Sequence, residues 1–150
     1  MSGATPPPNS IAVQAVCARW LGRGILLRGA PASGKSDLLL RLLEAGADLL
    51  ADDLVRLEVR NGRLIARPVA HRGLVELRGQ GLVRLPALGA SPIDLVVDCR
   101  RRLDARLPAP STERLLDVTL PRLLLVCREA SALARLRTVL CAGPPPTGSA

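Results

Sequence analysis

The sequence predicts an α/β fold, a mixed β-sheet carrying a small number of helices. Three observations predict it. An apolar run, a glycine-rich bend and an amphipathic stretch follow one another over residues 25–45. An Asn-Gly pair separates two alternating runs at residues 54–69, and two more continuous apolar runs, 93–99 and 122–127, have the length of strands rather than helices.

Taken in order, residues 1–9 are rich in Pro, Ser and Gly and are expected to form a disordered tail, as are residues 143–150. One folded domain is expected between them, over residues 10–142. Residues 11–20 and 25–28 read as strands on either side of a turn at Gly22-Arg23-Gly24. Residues 35–45 read as a helix, because Leu38, Leu39, Leu42 and Leu43 make an apolar stripe and Gly46 supplies a C-terminal stop. A short apolar strand, 47–51, ends in Asp52 and Asp53. Asn61-Gly62 predicts a hairpin within 54–69. A strand near 74–77 leads into Gly79-Gln80-Gly81, and Leu133, Leu136 and Leu140 give residues 130–141 helical spacing.

Composition narrows the function. With 150 residues and 48 % apolar content, the chain can build one core. No apolar run reaches the roughly 20 residues of a membrane helix, so no membrane is expected. The start lacks the basic and apolar segments of a secretory signal. Cys17, Cys99, Cys127 and Cys141 are widely spaced, which fits neither a zinc site nor a disulfide scaffold, so reduced cysteines and a cytoplasmic setting are expected. A net charge of +8 raises the question of nucleic acid, but there is no Phe or Tyr and only Trp20 to stack on a base. A solvated Arg-rich surface is the plainer reading, with an acidic protein partner or a phosphorylated ligand next and nucleic acid last. Of the 21 basic residues only Lys35 is a lysine, which points to a position that needs a compact ammonium.

That lysine closes the sharpest motif. Gly29-Ala30-Pro31-Ala32-Ser33-Gly34-Lys35-Ser36 matches G-x-x-x-x-G-K-[ST] between an apolar strand and an amphipathic helix. In such a P-loop the glycines let the backbone approach an anion, the helix N-terminus faces it, the Lys bridges the outer phosphates and the Ser hydroxyl ligates Mg²⁺. A P-loop in a mixed sheet therefore predicts nucleotide binding.

Phosphoryl transfer also needs carboxylates, to hold metal or accept a proton. A right-handed crossover from the loop strand through its helix would bring Asp52 and Asp53 to the loop's edge. Adjacent strand residues point to opposite faces, so the two share a task only if the strand has already ended. Asp98, at the end of the 93–99 run, ranks below them, its plainer role being an ion pair with Arg100–Arg102. Glu76 and Arg78 by themselves fit an exposed ion pair on a half-buried strand.

Gly24-Ile25-Leu26-Leu27-Arg28, the P-loop, Leu49-Leu50-Ala51-Asp52-Asp53 and Glu76-Leu77-Arg78-Gly79-Gln80-Gly81 in this order resemble the catalytic domain of HPr kinase/phosphorylase, over about residues 11–127. The resemblance implies an HPr kinase/phosphoenolpyruvate carboxykinase-like core in a short form without the family's N-terminal domain. It implies ATP and Mg²⁺ as cofactors, the HPr phosphocarrier protein of the phosphotransferase system as partner, and a hexamer. By the same resemblance Gly29 to Ser36 bind the nucleotide and Lys35 meets its phosphates. Asp53 accepts the serine proton, Ser36 and Glu76 face the metal, and Arg106 is the catalytic arginine; Asp52 is assigned to the metal from its place beside Asp53, not from the resemblance. Residues 75–84 match the signature region.

Three departures accompany it. Gln14 stands where the family has a catalytic His, and Gln cannot carry a proton. Gln80 replaces an apolar signature residue. The Arg-rich loop linked to dephosphorylation is reduced to Leu120-Pro121-Arg122-Leu123, which favours kinase over phosphorylase activity. His71, the lone His, is expected in a turn. A nucleotide-binding regulator without transfer activity and a small-molecule P-loop kinase are the alternatives.

Overall fold

The computed structural model describes residues 9–104 and 111–142. The expected strand over residues 11–20 is not one strand. It breaks at Ala15 into β1 (Ser10–Gln14) and β2 (Val16–Trp20), which belong to different sheets. The turn that follows sits at Leu21 and Gly22, both at positive φ, so Arg23 and Gly24 already belong to β3 (Arg23–Arg28). Gly24 lies where a second segment crosses: an added Cβ would stand 1.7 Å from the Pro92 carbonyl oxygen. The phosphate loop leads into α1 (Lys35–Glu44), then β4 (Asp48–Ala51). The Asn61-Gly62 hairpin forms as expected between β5 (Leu54–Arg60) and β6 (Arg63–Pro68), with both turn residues at positive φ. A second hairpin joins β7 (Leu74–Leu77) to β8 (Gly81–Arg84). After β9 (Ser91–Pro92) comes β10 (Leu95–Cys99). A third hairpin, β11 (Ser111–Leu115) with β12 (Val118–Leu125), precedes α2 (Ala132–Ala142).

The strands form a six-stranded sheet ordered β11-β12-β10-β3-β2-β4, a four-stranded antiparallel sheet β1-β5-β6-β9, and the pair β7-β8. In the larger sheet β12, β10 and β3 are mutually parallel, and β2 runs antiparallel between β3 and β4. β3 and β4 therefore point the same way with β2 between them.

The central strands are apolar throughout because both faces are covered. Ile25 and Leu27 of β3, with Leu95 and Val97 of β10, pack against Leu38, Leu39 and Leu42 of α1 and Leu136 of α2. Leu26 and Val96 point the other way, onto Val55, Leu57 and Leu64 of the antiparallel sheet. The result is three layers, helices on sheet on sheet, with a core at each junction. In the second sheet Glu58 is buried at 4 % exposure and accepts hydrogen bonds from Arg67 (2.6 Å) and Arg60 (3.2 Å). The Arg67 bond outweighs burial and holds its carboxyl below the ordinary value.

The cysteines depart from expectation. Cys99 and Cys127 form a disulfide with Cα atoms 5.4 Å apart, while Cys17 is free and buried and Cys141 free and exposed. β10 and β12 are neighbours in parallel register, Cys99 opposite Leu125, so 28 residues of sequence separation become adjacency in space. Among the described residues no helix is long and apolar enough to cross a membrane.

Candidate functional site

A cleft of about 1100 Å³ opens at the carboxyl ends of β3 and β4, the edge where open α/β sheets bind ligands. Its floor is the phosphate loop. Gly34 caps α1 at φ 99° with no side-chain bond to the helix, so the first-turn amides remain available to an anion. Both loop glycines have a steric reason to lack a side chain. A Cβ on Gly29 would stand 2.7 Å from the Cys99 carbonyl oxygen, and one on Gly34 would stand 2.8 Å from Cγ of Arg128 and 3.3 Å from Cβ of Cys127. The loop therefore rests directly on the two disulfide-linked segments. Lys35 Nζ donates to the carbonyls of Gly29 (2.5 Å) and Ala30 (3.4 Å), and the Ser33 hydroxyl is buried with no hydrogen-bond partner.

The carboxylates converge on this floor. β4 ends at Ala51, so Asp52 and Asp53 lie in a bend, free of strand alternation, and both line the cleft. Glu76 reaches it from β7. Asp52 is half-buried. Its Oδ2 accepts the Glu76 amide at 3.4 Å, while its Oδ1 is buried without a partner. Burial raises its pKa above the ordinary carboxylate value, and the charges of Asp53 and Glu76 raise it further. The bonds from the Glu76 amide and the Ser36 side chain lower it without cancelling the rise. Asp53 is exposed at the rim, and its carbonyl accepts the Ala15 amide, which ties β1 to the cleft wall.

An Mg²⁺ ion would fit this arrangement through few protein ligands. Among the described residues no group of three or more His, Cys, Asp or Glu is disposed to hold a metal unaided. Asp52, with an orphaned buried oxygen in the cleft that Ser36 also lines, suits an ion that takes its remaining ligands from phosphate and water.

Of the residues expected at the site, Ala32 to Ser36 and Pro31, Asp52, Asp53 and Glu76 line one cleft. Gly29 and Ala30 form the loop's entry. Arg106 lies outside the described residues. Asp98 stays out of the site, paired with Arg100 at 2.8 Å and Arg122 at 3.9 Å. Gln14 is exposed at the end of β1, opposite Leu54 and so next to Asp53. His71 sits in a bend at φ 54° and lines the cleft, as do Arg72 and Arg78. The Arg72 guanidinium is turned to the Ala87 carbonyl (2.6 and 3.1 Å). Sequence reasoning missed Arg128, which lines the cleft from just beyond β12 and donates to the Ala32 carbonyl at 2.9 Å. The available signal was its place after an apolar strand parallel to β3, hence at the same sheet edge.

Comparison with known proteins bears on the fold and the family. Among solved structures, the HPr(Ser) kinase/phosphatase from Coxiella burnetii superimposes with a TM-score of 0.73 over 88 % of each chain at 24 % identity, a likeness of fold. The HPr kinase/phosphorylase of Clostridium tetani is 40 % identical over 68 residues, 45 % of this chain and 22 % of that protein. That of Treponema pallidum is 35 % identical over 82 residues, 53 % of this chain and 26 % of that protein. The chain thus spans about a quarter of the length of these curated relatives. The family model described as HPr Serine kinase C-terminal domain matches residues 8–97, and the chain belongs to that family.

Proposed function

We propose that this chain binds Mg-ATP on the phosphate loop and transfers a phosphoryl group to a serine of HPr. The observation that carries this reading is the convergence of Asp52, Asp53 and Glu76 on the cleft floored by Ser33 to Ser36. Lys35 holds the outer phosphates and offsets their charge. Bound Mg²⁺, reached by Ser36 and Asp52 with Glu76 alongside, would neutralise charge on the transferring group. Asp53 is exposed at the rim, where a protein hydroxyl can reach it, and accepts the serine proton as the oxygen attacks phosphorus. Positioning and electrostatics supply most of such catalysis.

The kinase direction is favoured over the phosphorylase direction. The segment Leu120-Pro121-Arg122-Leu123, at the position of the family's dephosphorylation loop, lies inside β12. The basic surface suits an acidic protein partner. We also expect a homo-hexamer, which sedimentation would test.

Gln14 beside Asp53 supports a second reading, a nucleotide-binding regulator that transfers nothing. Incubation with labelled ATP and HPr decides between them. Label on HPr, absent when its target serine is alanine, supports the kinase. ATP binding without label on HPr supports the regulator, and ATP turnover with small metabolites alone would point to a small-molecule kinase.

A further inference from the structure

We infer that Arg128 is a second phosphate-binding cation of this site, acting beside Lys35 on a nucleoside di- or triphosphate. The inference rests on the nucleotide-binding part of the proposed function and adds a residue outside residues 8–97, the stretch that the family model matches.

Among the described residues four cations line the cleft: Lys35, Arg72, Arg78 and Arg128. Arg128 alone of the three arginines bonds the phosphate loop itself, through Nη2 to the Ala32 carbonyl at 2.9 Å. Lys35, which the motif assigns to phosphate, likewise bonds loop carbonyls, those of Gly29 and Ala30. The two cations thus bond carbonyls of the same loop, Lys35 at its start and Arg128 at its middle. A guanidinium has five N–H donors in a planar fork, so one bond to a carbonyl leaves others for phosphate oxygens.

The position of Arg128 is strongly determined for an exposed side chain. Cys127, just before it, is tied by disulfide to Cys99 at the end of β10. Arg41 of α1 donates to the carbonyls on either side of it, those of Cys127 and Glu129, the latter at 3.1 Å. The aliphatic stem of Arg128 lies against Gly34, where any Cβ would strike it. Base and stem are fixed while the charged head remains at the cleft surface, an arrangement that lowers the entropy lost when a flexible cation engages a ligand. An arginine serving only solubility needs none of these constraints. Its carbonyl bond and its place over the first turn of α1 put a positive charge where the loop amides already favour an anion.

The test is calorimetric titration of ATP, ADP and AMP into the wild-type chain, Arg128→Ala, Arg128→Lys and the exposed α2 control Arg137→Ala, with melting temperatures measured without nucleotide. Arg128→Ala is expected to weaken ATP binding by about tenfold or more, as for a lost charge-assisted hydrogen bond. AMP should lose less, the unliganded melting temperature should hold, Arg128→Lys should recover part of the loss and Arg137→Ala should match wild type. Wild-type affinity in Arg128→Ala overturns the inference and leaves the proposed function standing. Equal losses for ATP and AMP with a lowered melting temperature also overturn it, because Arg128 would then merely hold the loop. A wild-type chain that binds no ATP overturns both readings.

Discussion

Breaking the Cys99–Cys127 link is expected to cost the fold much of its margin. The bond closes a loop spanning 28 residues of sequence. In the chain-entropy treatment a loop of that size removes about 12 cal/mol/K from the unfolded ensemble, about 3.6 kcal/mol at 25 °C. For a chain of this length each kcal/mol moves the melting temperature by about 2–4 °C, so Cys99→Ser with Cys127→Ser should melt about 10 °C lower. Both cysteines are buried against the phosphate loop, and serine would add two hydroxyls there, so Cys99→Ala with Cys127→Ala serves as the cleaner second variant. The assay is thermal unfolding of wild type with and without a reducing dithiol, alongside thiol titration. Without reductant, one thiol, the exposed Cys141, should react readily. Cys17 should react only on unfolding, since complete burial pushes its thiol far up and suppresses the thiolate. Four reactive thiols in the unfolded, never-reduced protein, or identical melting with and without reductant, would refute the reasoning.

Other perturbations separate binding, chemistry and stability. Lys35→Ala should abolish measurable ATP binding in a titration, whereas Asp53→Asn should retain binding and lose labelled transfer to HPr; an unchanged transfer rate in Asp53→Asn would remove its role as base. Gly34→Ala should destabilise the loop by about 1–3 kcal/mol and weaken nucleotide binding, because alanine is strained at φ 99° and its methyl meets Arg128, as calorimetry and denaturant unfolding would register. Glu58→Gln should lower stability by about 1–2 kcal/mol at neutral pH, a figure held down by the partial exposure of Arg67 and Arg60. Because the folded-state pKa of Glu58 is lowered, its contribution is fully present above the ordinary value of 4.5 and lost as pH falls through the folded value, so the gap between Glu58→Gln and wild type should close in acid.

What could be read from the sequence was what is local in it. The phosphate loop is eight consecutive residues with an apolar strand before and a Leu stripe after, and the Asn61-Gly62 hairpin is a two-residue signal; both stand where expected. The ranking of Asp52 and Asp53 above Asp98 also followed from chain order, and Arg100 does neutralise Asp98. The failures are matters of partnering. Residues 11–20 are apolar except at Gln14 and Arg19, with no break in the run, yet Ala15 hands the chain from one sheet to the other, a choice set by which sheet each half pairs with. β11, Ser-Thr-Glu-Arg-Leu, is a short polar edge strand with little apolar pattern to announce it. The Cys99–Cys127 contact and the Arg128 bond to Ala32 join residues 28 and 96 positions apart, so only the sheet order reveals them.

The two neighbouring aspartates show how one bend can serve two tasks. Asp52 is half-buried, bonded by the Glu76 amide, and carries one oxygen with nothing to bond. Asp53 next to it is exposed. Ionising Asp52 therefore costs the fold stability, since its folded-state pKa is raised above the ordinary 3.8. The folded state holds that proton more tightly than the unfolded chain, so stability attributable to this group rises as pH falls through the raised value and is lowest above it. Asp52→Asn should consequently raise the melting temperature at neutral pH, with the gain vanishing in acid below 3.8. A site that keeps an unfavourable carboxylate gains from a cation that compensates it, which is the linkage expected of a metal-facing group. Mg²⁺ with ATP should therefore stabilise wild type more than Asp52→Asn, while Asp53→Asn, at the solvent-screened rim, should show the full wild-type increment. Equal increments in wild type and Asp52→Asn would mean that the buried oxygen faces no metal.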